Sequence, residues 1–423
     1  MLRRNETRQH LREEQVDAQP AQREESLDSR EMTVARRPRR PHFPSMAGFQ
    51  RTIDSYRQGA RTMPREKYTS DAVFVEERER IFARYWNCVG RASAFIKPGD
   101  YHLRTVAGES LIIVRDRGGE LHAFFNVCRH RGTRLCRETT GKLSETIQCP
   151  YHAWTYGLDG RLIGAPHMNE VEGFDKKNYP LHEAAVAEWE GFVFVNLSEK
   201  PQPFNEWFAP ILKRLARFTL PMLKVNHRAQ YEVNANWKLV FQNYSECLHC
   251  PMIHPELNTV LPYTSGANDL TSGPFLGGYM EIKEPNESAT LTGRACGRLV
   301  NDHLAGNDVK RAYYYTLMPN MMLSVHPDYV NYYLLTPVAV DRTVVDTEWM
   351  FSPNNEGDPK FNPQDAIDFW DVTNRQDWDI CERSQQGIWS RRYEPGPYSP
   401  RESIPAAWDA EYLRMMNNPG NRD

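Results

Sequence analysis

The stretch Asn126-Val127-Cys128-Arg129-His130-Arg131-Gly132, with Cys149-Pro150-Tyr151-His152-Ala153-Trp154 further along, twice places a thiolate close to an imidazole. Two such arms on hairpin tips can meet around one inorganic centre. A [2Fe–2S] cluster with two Cys on one iron and two His on the other would draw one ligand per iron from each arm. A single zinc ion also accepts two Cys and two His, so ligand type alone leaves both centres open. The flanking texture suits hairpins: short β-type runs such as Leu111-Ile112-Ile113-Val114 and Gly191-Phe192-Val193-Phe194-Val195 stand between Gly, Asp and Pro turns. Residues 88–198 therefore read as a small β-rich domain.

Outward from that core, residues 1–46 alternate Arg, Glu and Gln with almost nothing apolar, so they are expected to be a disordered tail. Their basic run Ala35-Arg36-Arg37-Pro38-Arg39-Arg40 reads as solvated. Order is expected from about Phe49, with an amphipathic helix within Tyr68–Trp86, where Val73, Phe74, Glu77, Ile81, Phe82 and Tyr85 recur at helical spacing. Beyond Pro201, helices mix with strands rich in Tyr and Val, including Tyr332-Tyr333-Leu334-Leu335 and Thr343-Val344-Val345, which indicates an α+β domain.

Of 423 residues, 40% are hydrophobic and 25% charged, with a net charge of −3, ordinary for a globular protein and without the field that favours nucleic acid or an anionic membrane. No apolar run approaches the roughly 18 residues of a transmembrane helix. Eight cysteines, several close to histidines, suggest metal ligation in a reducing compartment rather than a disulfide framework. With no signal-peptide pattern and an acid-rich start, a cytoplasmic location is expected. No Gly-rich phosphate loop or dinucleotide fingerprint is present, so NAD and flavin binding are not expected of this chain.

The second constellation is Asn243-Tyr244-Ser245-Glu246-Cys247-Leu248-His249-Cys250-Pro251-Met252-Ile253-His254-Pro255. Glu246 and His249, three apart, would share a helix face, and Pro251 should break that helix before His254. Two histidines and a carboxylate make the facial triad of non-haem Fe(II) oxygenases, and on spacing alone Glu246 is the obvious third ligand. Cys247 and Cys250 have the spacing of a redox pair, but free buried thiols are the commoner case.

From about Tyr68 to Glu402 the chain resembles the α subunits of Rieske non-haem iron oxygenases. The resemblance implies an α+β fold: a β-rich Rieske [2Fe–2S] domain (88–198) beside a helix-grip catalytic domain, an antiparallel sheet with a long helix, built from residues 47–87 and 199–423. It implies a [2Fe–2S] cluster on Cys128, His130, Cys149 and His152. It also moves the iron's carboxylate: the mononuclear Fe(II) would sit on His249, His254 and Asp377, and Glu246 would bridge a cluster histidine and an iron histidine across a subunit boundary. Asp379 competes with Asp377, which the step to Glu382 favours. Three departures stand out: the gap between the two arms is slightly long, Ala153 replaces a common Gly, and Glu246 replaces the frequent Asp.

Such subunits usually form ring-like homotrimers. The resemblance implies a monooxygenase that uses O₂ and two electrons from a separate NAD(P)H-dependent flavin or iron–sulfur reductase, with Glu246 and Asn243 in the catalytic machinery. The run Asn243–Cys250 and the tail Glu394-Pro395-Gly396-Pro397-Tyr398-Ser399-Pro400 look most like the glycine betaine and choline monooxygenase branch. The expected substrate is thus a small methylated amine, which aromatic faces can hold by cation–π attraction. His326, Tyr329 and Trp378 are the candidate pocket residues, and Tyr313, Tyr314, Tyr315, Tyr332, Tyr333 and Trp349 add further aromatic faces. An aromatic acid or aryl methyl ether is the alternative substrate, and a non-enzymatic zinc protein the remote alternative.

Overall fold

The computed structural model describes residues 48–417, so the expected disordered tail lies outside the described residues. The β-rich part is a seven-stranded antiparallel sheet in the order Asn87–Arg91, Phe192–Asn196, Glu183–Trp189, Leu121–Phe125, Glu109–Arg115, Asp100–Val106, Thr140–Lys142. Leu111–Val114 and Phe192–Val195 are wholly buried apolar runs, so each packs on both faces. A separate three-stranded sheet, Thr146–Gln148, Thr155–Gly157 and Leu162–Gly164, carries the second Cys/His arm on its first turn.

The second part is an eight-stranded antiparallel sheet: Gln50–Arg51, Ala267–Leu270, Phe275–Glu281, Arg311–Leu317, Met321–Val325, Tyr329–Ala339, Arg342–Phe351, Lys224–Val233. Three helices cover it: α1 (Trp237–Tyr244), α2 (Pro363–Ile388) and α3 (Ser403–Asn417). The 26-residue α2 is pinned to the strands through aromatic hydroxyls. Tyr231 donates to Asp371 at 2.7 Å, Tyr333 to Asn374 at 3.1 Å, and Trp370 Nε1 donates to the Tyr329 hydroxyl at 2.6 Å. A helix gripped by an antiparallel sheet is the expected architecture.

The expected helix within Tyr68–Trp86 forms in pieces. Glu66–Thr69 ends at Ser70, whose hydroxyl accepts from Val73 N and so caps a new helix, Asp71–Glu77, which widens into a π turn over Arg78–Phe82. Its Glu77 is fully buried. There it accepts from Lys238 Nζ at 2.5 Å, Trp237 Nε1 at 2.8 Å and the Tyr412 hydroxyl at 2.6 Å, tying the N-terminal segment to α1 and α3.

Candidate active site

The two Cys/His arms meet. The first leaves the strand Leu121–Phe125 and is closed by Cys128 N donating to Thr133 O and Gly132 N to Cys128 O. In the second, the Cys149 amide donates to Trp154 O across the tip. The His130 and His152 rings lie 4.8 Å apart, and His130 stacks on Trp154 at 4.8 Å. Cys128 and Cys149 are free, buried thiols, whereas His130 is exposed and His152 half-buried with its Nδ1 unpartnered. This donor set, two sulfurs inside and two imidazoles toward the surface, fits a mixed Cys₂His₂ cluster.

Ala153, where the family commonly has Gly, sits at φ +56°, left-handed backbone that an L side chain adopts at a cost. The tight turn at the arm's tip demands that conformation, which explains the usual glycine.

The second constellation differs from the expected helix. α1 stops at Tyr244, so Glu246 and His249 lie in the loop before a short helix, Cys250–Ile253. Pro251 sits at that helix's start, where no N–H is required, and the break falls instead at His254, before Pro255. The pairing survives without the helix: His249 Nδ1 meets Glu246 Oε1 at 2.6 Å. Cys247 and Cys250, expected as free thiols, form a disulfide with their Cα atoms 4.9 Å apart, because the same turn closes the three-residue step.

On α2, Asp377 Oδ1 lies 2.8 Å from His254 Nε2 and 3.3 Å from His249 Nε2. Donor atoms of these three residues all fall within 4.8 Å of one another. Each histidine's far nitrogen is held from behind, His249 by Glu246 and His254 by Gln376 Oε1 at 2.7 Å, so both Nε2 atoms are aimed at one point. Asp379 points elsewhere, bonded to Arg383 at 2.8 Å. Burial opposes the Asp377 charge, but bonds from His249 and His254 outweigh it and keep the carboxyl below its usual range. Burial also opposes a charged His249, yet Asp377 and Glu246 hold it up at about 10. The converging donors, two imidazoles and one carboxylate, fit ferrous iron.

A cavity opens over these donors. Asn243, Tyr244, Glu246, Tyr314, Trp370 and Arg401 are among its lining. His326, Tyr329 and Trp378, the residues expected in the pocket, are not. His326 stacks on Tyr329 at 4.2 Å behind the wall, both fully buried, and Trp378 turns toward Tyr231 in the core. Helical phase explains the exchange: Trp370 and Asp377 are seven apart on α2 and share a face, which Trp378 leaves by one residue. Gln376, Trp370 and Arg401 carried no motif signal, although the same phase could have found Trp370.

Residues 85–175 match the Rieske [2Fe–2S] domain, and residues 220–418 match the catalytic domain of ring-hydroxylating α subunits. The glycine betaine monooxygenase oxygenase subunit of Chromohalobacter salexigens is 31% identical over 378 residues, 81% of this chain and 83% of that protein. The chain belongs to the Rieske oxygenase α subunits. The carnitine monooxygenase oxygenase subunit of Acinetobacter pittii is 42% identical over 196 residues, 46% of this chain and 53% of its own. A solved quaternary ammonium Rieske monooxygenase superposes with a TM-score of 0.71 at 29% identity, covering 84% of this chain and 95% of the other. This Rieske oxygenase is therefore an enzyme that uses a [2Fe–2S] cluster and a mononuclear non-haem iron. Among the described residues no helix is long and apolar enough to cross a membrane.

Proposed function

We propose that this Rieske oxygenase hydroxylates an N-methyl carbon of a small quaternary ammonium compound. Three rings that wall the cavity carry the reading. Tyr244 lies edge-on to Tyr314 at 6.2 Å, and Tyr314 lies 6.3 Å from Trp370, all lining the space over His249, His254 and Asp377. A methylated ammonium donates no hydrogen bond, and aromatic faces attract it by about 2 kcal/mol when desolvated. The wall is held in place from behind, since the Tyr244 hydroxyl bonds Ser324 Oγ at 2.8 Å and Trp370 Nε1 donates to Tyr329. The names of the glycine betaine and carnitine relatives point the same way.

In this reading Cys128, His130, Cys149 and His152 hold the cluster, and His249, His254 and Asp377 hold the iron. When bound, the cluster supplies electrons and the ferrous iron binds and activates O₂. The chain's own residues orient and exclude. Glu246 and Gln376 fix the tautomers of the iron-side histidines, Asn243 borders the reacting space, and the aromatic wall presents the substrate's methyl carbon and keeps water off it. Overall, the N–CH₃ group, O₂, two electrons and two protons become N–CH₂OH and water. The hemiaminal then collapses to formaldehyde and the demethylated amine.

The electrons come from a separate NAD(P)H-dependent reductase. The active assembly is a homotrimer, in which Glu246 of one subunit reaches a cluster histidine of the next. Exposed His130, Tyr151 and Met252, lying at the cluster tip and the iron loop, support such a contact.

The test is reconstitution with a reductase, NAD(P)H and O₂, with formaldehyde and O₂ uptake measured against glycine betaine, carnitine, choline, benzoate and vanillate. Formaldehyde in step with O₂ uptake from a methylated amine is expected. Coupled turnover of the aromatic acids alone would overturn the substrate class and leave the family intact.

A further inference from the structure

Among the described residues lining the cavity, Arg401 is the only Arg or Lys, and the two carboxylates, Glu246 and Asp377, are both engaged by histidines. No carboxylate among the described residues lies within ion-pair reach of the Arg401 guanidinium. Its charge is set over the Tyr263 ring, 5.2 Å from the centroid, on a half-buried stem. The position is rigidly built. Arg401 lies in the 3₁₀ turn Pro400–Glu402, whose entry is a capping box between Ser399 and Glu402, and the Arg401 amide donates to Ser399 Oγ at 3.3 Å. The following Ser403 hydroxyl donates to the backbone of Thr52, itself part of the cavity wall.

A guanidinium that lines a cavity with no anion beside it is open to a ligand that supplies one, and its planar fork matches a carboxylate by two parallel hydrogen bonds. The Tyr244, Tyr314 and Trp370 faces, which line the same cavity, suit a methylated cation. Two other cavity tyrosines are already taken by arginines, Tyr263 by Arg401 and Tyr279 by Arg311, whose guanidinium lies 3.7 Å from the ring centroid.

We propose that Arg401 anchors the carboxylate of the substrate, so that the pocket selects a zwitterion with both an ammonium and a carboxylate over a bare cation such as choline. This rests on the methylated-amine reading above. A monocation would meet the uncompensated Arg401 charge, whereas a betaine neutralises it and is held at both ends. Arg401 then decides which methylated amine is accepted, and the reacting methyl is the one turned away from the carboxylate.

The holoprotein and its Arg401→Gln and Arg401→Lys variants would be titrated calorimetrically with glycine betaine, carnitine, choline and benzoate. Binding of glycine betaine or carnitine is expected to weaken tenfold or more in Arg401→Gln and less in Arg401→Lys, while choline, relieved of the Arg401 charge, binds no more weakly in Arg401→Gln than in the wild type and is expected to gain. In turnover the same loss should appear in KM rather than kcat. Equal losses for choline and the betaines would show a merely structural role and overturn the proposal, as would an unchanged betaine affinity or a wild-type protein that binds no carboxylate. Wild-type binding of benzoate with no methylated amine would sink the amine reading by itself. The anchor would then stand or fall on whether Arg401→Gln weakens benzoate.

Discussion

Gln376 and Asp377 are consecutive on α2 and contact the two nitrogens of one imidazole, Gln376 at His254 Nδ1 and Asp377 at Nε2. Glu246 does for His249 what Gln376 does for His254, standing behind the ring rather than between the rings. This distinguishes the roles of the carboxylates. Asp377→Asn is expected to lose mononuclear iron, whereas Glu246→Gln keeps both metals and lowers turnover by roughly ten- to a hundredfold, the usual effect of removing a residue that orients a ligand. Metal analysis beside steady-state rates checks this. If Glu246→Gln instead emptied the iron site while Asp377→Asn did not, Glu246 would be the ligand. At the cluster arm, Ala153 in left-handed backbone makes a second prediction: Ala153→Gly relieves strain and stabilises the protein by about 1 kcal/mol or less. A melting temperature that falls in that variant would contradict it.

Among the elements, α1 is anchored more firmly than its eight residues alone would allow. Asn236 caps it by accepting from Lys238 N at 3.0 Å and donates to Val340 O at 2.6 Å, and next to the cap the buried Lys238 meets Glu77. Lys238 lies within 6 Å of the Tyr68, Trp237 and Tyr412 ring centroids, and burial lowers its pKa against the pull of Glu77. Such a pair holds elements in register more than it adds stability, but removing one partner strands the other in an apolar core. Glu77→Gln should therefore cost about 3–5 kcal/mol, read as a large drop in melting temperature with loosening of the loop after α1. A melting temperature within a degree or two of wild type would mean that the pair contributes little.

For the whole molecule, the proposed electron transfer between subunits makes a complementation prediction. Cys128→Ser should lose the visible cluster spectrum, and His249→Ala should keep it while losing iron and activity. Co-expressed, the two inactive chains would form mixed rings in which some interfaces join an intact cluster to an intact iron site, recovering about a quarter of wild-type activity for random cyclic trimers. Activity no greater than either parent alone would place the transfer within one chain and overturn the trimeric reading.

The sequence by itself determined the chemistry-bearing arms, because a cluster with mixed ligands needs Cys and His at close, local spacing, and so Cys128–His130 and Cys149–His152 are legible without a fold. The β-rich texture around them was legible for a similar reason: apolar runs between turns are local. Asp377 lies more than a hundred residues from His249 and was reached only through family resemblance, since spacing alone had favoured Glu246. Tertiary structure decided the rest. The loop that replaces a helix at Glu246 and the Cys247–Cys250 pair follow from the turn the chain takes after α1, and the exchange of His326, Tyr329 and Trp378 for Tyr244, Tyr314 and Trp370 depends on how α2 lies on the sheet. Which face of a helix meets a cavity is a property of packing between segments far apart in the chain, so the phase that links Trp370 to Asp377 becomes readable only once Asp377 is placed at the site.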